Sequence, residues 1–240
     1  MGQFEALLIV QEQDTTLDQL DHRKAGLPER AALAEAQRRL DAIARRSADA
    51  QVTRDDLGRQ SKRIEDEVAL LDEKIAQEED KLYKSGMTSA KDAQMLQDEI
   101  ASLRRHKVDL EDQIIELMEQ TEPVDGELAS LNTDRESVER EMAELRTALE
   151  ADESEIDGEI DEVSGRRAEE AAQVDAALLD EYATLRSQMD GVGVASFSGG
   201  RCHGCPLNLL HPAVETDRIN HEPADAVIHC DECSRILVRV

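Results

Sequence analysis

The 240-residue chain has no tryptophan, two tyrosines and two phenylalanines. Large aromatics supply much of the buried area of compact cores, so their scarcity argues against a thick globular interior. No run of sequence approaches the ~20 apolar residues that cross a bilayer, so no membrane partner is expected. Met1–Asp14 lacks a basic leader and a small-residue cleavage site, and Ala6 stands where a myristoylation signal needs Ser or Thr. The cytoplasm is the expected compartment. Positive charge is also scarce: 28 Lys and Arg face 55 Asp and Glu, a formal net charge of −27. That balance argues against free nucleic acid as a partner of the chain as a whole.

What remains is rich in Ala, Glu, Leu, Arg, Asp and Gln, a composition that folds by pairing long helices along a thin seam. Residues 1–25 predict a short amphipathic helix with Leu7, Val10, Leu17 and Leu20 on one side. Gly26-Leu27-Pro28 interrupts it, and Pro28 suits the first turn of the next helix, where its missing N–H costs nothing.

A seven-residue repeat then runs from Leu33 to Leu82. One seam position carries Leu33, Leu40, Ser47, Arg54, Ser61, Val68, Ile75 and Leu82; the other carries Ala36, Ile43, Ala50, Leu57, Ile64, Leu71 and Glu78. Alternating steps of three and four residues mark a coiled-coil seam. The repeat resumes from Leu96 to Val163 through Ile100, Leu103, Leu110, Ile114, Leu117, Val124, Leu131, Val138, Met142 and Ile156. It keeps its phase across Pro123 and Gly126, which predicts a kinked but continuous helix.

Between the two repeats, Gly86 suits a helix end, and Thr88 or Ser89 suits a new cap. An antiparallel hairpin is the simplest arrangement. Facing Leu82 with Leu96 pairs Ile64 with Ile114 and Val68 with Leu110. It sets Arg54 opposite Val124, where a bend is expected. Helix lengths place the N-terminal helix against residues near 150–172. The predicted organisation is thus a helical hairpin over 1–190, with helices at 1–25, 28–83 and 90–170 and a tip at 83–90. A separate module follows at 191–240.

That module holds every cysteine of the chain: Cys202-His-Gly-Cys205 and, after 24 residues, Cys230-Asp-Glu-Cys233. Two Cys-x2-Cys turns can each aim two thiolates at one metal, closing a tetrahedral S4 set that suits a single structural Zn²⁺. Gly204 is read as supplying backbone freedom in the first turn. Ala226–His229 and Arg235–Val240 flank the second pair as candidate strands. A domain of about 50 residues buries little core, so a metal staple has a physical purpose. Disulfides would need an oxidising compartment, and a redox dithiol would need only one pair; an iron site with the same ligands is the remaining competitor. His203, His211, His221 and His229 lie nearby, but with four thiolates available they are read as surface or loop residues.

Leu82-Tyr83 with Gly86, Lys91, Leu96, Glu99, Ile100 and Leu103, both cysteine pairs, and Ser234-Arg235-Ile236-Leu237 together resemble the bacterial C4-type zinc-ribbon coiled-coil family. Its members include a Helicobacter flagellar regulator that acts as a sigma-factor chaperone, and a chlamydial relative. The resemblance covers nearly the whole chain. Ser234 stands where the family usually has Gly, and Asp92 where it has Glu. The resemblance implies a mostly α fold, a long kinked antiparallel coiled-coil hairpin with a small C-terminal β zinc ribbon. It also implies a role in binding other macromolecules, with no one partner shared by all members.

The expected function is therefore a non-enzymatic adaptor or chaperone-like protein that uses the ribbon and the hairpin tip. The partner expected is a protein, and no small-molecule substrate is expected. Residues 81–107 are locally basic: Lys81, Lys84, Lys91, Arg104, Arg105 and Lys107 against Asp92, Asp98 and Glu99. Lys84, Lys91, Arg104, Arg105 and Lys107 are the candidate partner-binding residues; the plainer reading is a solvated helix face balancing nearby carboxylates. The alternative function is a nucleic-acid-binding ribbon, for RNA or DNA. Residues 195–240 weigh against it, with four arginines against six carboxylates and Phe197 as the one aromatic besides histidine. No phosphate loop, nucleophile elbow or carboxylate pocket stands out from the heptad background, so catalysis is not expected.

Overall fold

The computed structural model describes residues 2–84, 90–205 and 212–240, without the side chains of Lys84 and of residues 212–215. The tip positions Gly86, Thr88 and Ser89, and His211, lie outside the described residues. Helices α1 (Gln3–Ala25), α2 (Pro28–Lys84), α3 (Ala90–Ala171) and α4 (Ala176–Gln188) precede strands β1 (Val194–Ser198) and β2 (Arg201–Cys202). Helix α5 (Pro212–His221) and strands β3 (Ile228–His229) and β4 (Ile236–Arg239) follow. Two compact units are formed, one by Ala32–Leu145 and one by Met1–Ala31 with Arg146–Val240.

The first unit is an antiparallel helical pair from α2 and α3. Its seam is the one the heptads define. Leu57, Ile64, Leu110 and Leu117 are buried together beside Val68, Leu71, Ile114 and Val124. Farther along, Ala36, Val138 and Met142 are buried beside Leu33, Leu40 and Ile43. Ion pairs flank the seam: Arg39–Glu141, Arg46–Glu127, Lys107–Asp72 and Arg104–Glu79. A fully buried Leu or Ile contributes ~1.5–3 kcal/mol, and an exposed ion pair ~0–1 kcal/mol. The seam therefore stabilises the pair, and the charges mainly select its register.

Two seam positions depart from a simple heptad. Arg54 is exposed and reaches out to Asp125, the neighbour of Val124. A long charged side chain leaves an apolar layer for water when its stem allows. Glu78 stays in the seam and is held by Lys81 at 2.7 Å. Helix α3 runs unbroken through Pro123.

The second unit is built on α1. Leu20 packs on Ile156 and Val163, flanked by Leu17, Leu27 and Ile160, where the helix-length argument put it. Lys24–Asp157 and Arg23–Glu159 line the same contact. Farther toward its start, Ala6, Leu7 and Val10 are buried against Leu178 and Tyr182 of α4 and against Val194, Ile236 and Val238 of the sheet. The sheet order is β2-β1-β4-β3, with β1 and β4 parallel and both outer pairs antiparallel.

Helices α4 and α5 had no counterpart in the heptad reading. Asp175 caps α4 by accepting from the Ala177 N–H at 2.9 Å, but this Asp sits in Ala- and Glu-rich sequence without a Gly or Pro to mark the break. Helix α5 lies between the cysteine pairs and is only ten residues long, too short for its buried Ile219 to reveal a period.

Candidate metal centre

The four cysteine Sγ atoms lie within 4.8 Å of one another. Strand β2 ends on Cys202, and Cys205 follows one turn later; strand β3 delivers Cys230, and Cys233 follows in the same way. Cys202 and Cys230 are buried, and Cys205 and Cys233 are half-buried. The second turn is closed by the Ser234 N–H donating to the Cys230 carbonyl at 2.8 Å and the Cys230 N–H donating to the Arg235 carbonyl at 2.9 Å. In the first, the Gly204 N–H donates to Cys202 Sγ at 3.3 Å. A backbone N–H donating to sulfur, as Gly204 does, favours the thiolate form.

These residues can hold a metal ion. Four sulfurs at ~2.3 Å from a tetrahedral zinc would stand ~3.8 Å apart, and Cys202 Sγ and Cys233 Sγ are 3.9 Å apart. Among the described residues, no other group of three or more His, Cys, Asp or Glu is gathered this way.

The electrostatics point the same way. Burial, helped by the neighbouring sulfurs, pushes the Cys202 thiol up to about 12, and burial likewise raises Cys230. Burial also works to raise Cys233, but hydrogen bonds from Arg235 and from the neighbouring thiols outweigh it, and Cys233 lies below the ordinary thiol value. The two buried thiols, Cys202 and Cys230, thus resist ionisation. A divalent cation removes that resistance, so its binding would expel protons.

The local sequence explains the turns. Ser234 takes a left-handed φ of 60°, the conformation in which glycine costs nothing and a side chain is strained. Gly204 has no such conformation; what it supplies is the absence of a side chain. A Cβ there would lie 2.7 Å from Ala195 Cβ and 2.9 Å from Arg235 Cδ.

Among the described residues, no histidine joins the sulfur cluster. His203 is exposed beside Ser198 Oγ at 2.9 Å, His221 bonds the Asp217 carbonyl, and His229 meets Glu181 at 2.8 Å. Phe197 of β1 is buried and offers no platform for stacking bases.

The basic candidates lie in the other unit. Arg104 pairs with Glu79, and Lys107 with Asp72 at 2.6 Å and Glu111 at 3.6 Å. Lys91 and Arg105 are exposed. The side chain of Lys84 lies outside the described residues.

Sequence reasoning missed a buried polar cluster beside the ribbon. Asp14 accepts from Tyr182 Oη at 2.7 Å and from Arg167 Nε at 2.8 Å. Arg186 donates to the Asp14 carbonyl at 3.2 Å and to Asp18 at 2.6 Å. Gln11 holds the α4–β1 turn, donating to the Gly191 carbonyl at 2.9 Å and accepting from the Gly193 N–H at 2.8 Å. The available signal was position: Gln11 and Asp14 fall on the same helical face as Leu7, Val10 and Leu17.

The description "CT398-like coiled coil hairpin domain" matches residues 10–190. An uncharacterized Mycobacterium tuberculosis protein, Rv2229c, is 29% identical over the whole chain and 96% of its own length. A solved Mycobacterium smegmatis structure matches at 26% identity and a TM-score of 0.85, covering 99% of this chain and 97% of that one. CT398 from Chlamydia trachomatis shares the fold at 20% identity and a TM-score of 0.71, covering 99% and 98%. The Helicobacter pylori protein HP0958 matches at 17% identity and a TM-score of 0.50, covering 100% and 99%.

Proposed function

The chain belongs to the CT398-like coiled-coil hairpin family, and on that premise we propose that it is a non-enzymatic, zinc-binding adaptor of the chaperone-like kind. One structural Zn²⁺ is held by Cys202, Cys205, Cys230 and Cys233, and other macromolecules are bound through the ribbon and the hairpin tip. The observation that carries this reading is the gathering of four sulfurs within 4.8 Å on two turns of a small sheet. Four protein ligands fill a tetrahedral zinc and leave no position for a substrate or an activated water, which suits a structural role.

The partner is proposed to be a protein. Lys91 and Arg105 are the tip cations most available to it, because Arg104 and Lys107 already face carboxylates of the hairpin. A desolvated contact to an acidic segment would gain more from these two, for which no ion pair is formed among the described residues. A nucleic-acid partner finds less support in a ribbon whose one phenylalanine is buried.

The test is capture by the full chain, compared with K91E/R105E and with C230S/C233S, followed by titration of any captured protein and of a mixed-sequence RNA against all three. Saturable binding of a protein that weakens in at least one variant supports the reading. Capture indistinguishable from that of an unrelated acidic coiled coil refutes it, and tight RNA binding by the wild type favours the alternative. No helix among the described residues is long and apolar enough to cross a membrane.

A further inference from the structure

Arg235 sits two residues after the last cysteine, yet its side chain reaches the turn that ends α4. Its Nε donates to the Val192 carbonyl at 2.8 Å and its Nη2 to the Met189 carbonyl at 3.1 Å. The same residue braces both knuckles. Its carbonyl accepts from the Cys230 N–H at 2.9 Å, and its Cδ occupies the space that a side chain on Gly204 would need.

The turn that Arg235 grips is also held by α1. Gln11 bonds both the Gly191 carbonyl and the Gly193 N–H, and the Gly193 carbonyl accepts from the Ile236 N–H at 3.0 Å. Gly193 itself has no room for a Cβ, which would lie 2.7 Å from the Tyr182 carbonyl oxygen. Residues 189–193 are therefore clamped between the knuckles and a helix about 180 positions earlier in the chain.

We propose that Arg235 is a positioning residue that couples metal occupancy of the four cysteines to the docking of α1. This rests on the zinc reading above. With the metal in place, the second knuckle holds the guanidinium against the Met189 and Val192 carbonyls, the turn keeps its shape, and Gln11 finds both of its partners. Without the metal, residues 230–235 lose their anchor. The two carbonyls lose their donor, and the grip on α1, whose buried face is Ala6, Leu7 and Val10, weakens. The metal thus controls whether that apolar face stays covered.

The test is amide hydrogen exchange on the full chain, zinc-loaded and zinc-stripped under reducing conditions, with R235A and R235K loaded with zinc. Losing two hydrogen bonds predicts about tenfold faster exchange in α1 residues 3–16 and in 189–193 on stripping, and in loaded R235A. R235K, which reaches one carbonyl at a time, should fall between. Exchange in the Ala32–Leu145 unit should stay unchanged, which separates local release from failure to fold. Exchange of α1 that is the same with and without zinc overturns the proposal, as does loaded R235A or R235K matching wild type while stripping has an effect. A wild-type chain that takes up no zinc at all instead sinks the zinc reading, a distinct outcome read from metal content.

Discussion

Replacing Asp14 with Ala should destabilise the α1-containing unit, because it removes a buried carboxylate from between its partners. The carboxylate is 8% exposed and receives Arg167 and Tyr182 directly, with Arg186 Nε at 3.8 Å. Arg186 Nε is itself buried and has no hydrogen-bond partner among the described residues, so the Asp14 charge is what compensates it. Breaking a fully buried pair costs ~3–5 kcal/mol. Arg167 is 35% exposed and Arg186 keeps Asp18 at 2.6 Å, so water and Asp18 recover part of that loss. The expected cost is about 2–3 kcal/mol for D14A, and about 1–2 kcal/mol for D14N, which keeps an acceptor but loses the charge. The chain has no Trp and only two tyrosines, and Tyr83 is 78% exposed while Tyr182 is 1% exposed. In a Y83F background, tyrosine fluorescence during urea unfolding therefore reports this cluster alone. A D14A chain within about 0.5 kcal/mol of its parent would refute the assignment of the cluster as a stabilising network.

Three further outcomes follow from named contacts. Burial, with the Asp14 carboxylate, holds the Tyr182 pKa well above the usual tyrosine value. Its contribution is complete below the unfolded tyrosine pKa of ~10 and declines as pH rises past that toward the folded value; urea midpoints at pH 9 and pH 11 should therefore differ more in wild type than in Y182F. G204A forces a Cβ into space held by Ala195 and Arg235, and should cost about 1–3 kcal/mol with faster loss of zinc to a chelator. S234G relieves the left-handed strain at φ 60°, partly offset by glycine's larger unfolded-state freedom, so thermal unfolding should show stabilisation of up to about 1 kcal/mol.

The hairpin was legible because its physics is periodic. A seam of apolar residues at three- and four-residue steps has one burial solution, and Leu57, Ile64, Leu110, Leu117, Val138 and Met142 are buried where the heptads put them. The ion pair of Arg54 with Asp125, next to Val124, fits the register set by facing Leu82 with Leu96. The cysteine cluster was legible for a different reason: Cys-x2-Cys fixes two sulfurs on one short turn, and the chain has only two such turns to bring together.

What the sequence hid are contacts between distant segments with no spacing of their own. Gln11 and Asp14 meet partners more than 150 positions away, and a polar residue on an apolar face does not name its partner. The role of Gly204 was misjudged because a need for space and a need for φ freedom look alike in sequence. Ser234 shows the converse: a serine does not itself announce a left-handed backbone, and the signal was the glycine that the resembled family carries at that position.

The most direct measurement is the metal content of the purified chain by elemental mass spectrometry, in wild type and in C230S/C233S, with helicity followed in parallel. One zinc per chain in wild type, lost in the variant while the helical signal persists, is the result predicted. A wild-type chain that binds no metal under reducing, chelator-free conditions would contradict the central claim that these four cysteines form a structural zinc site.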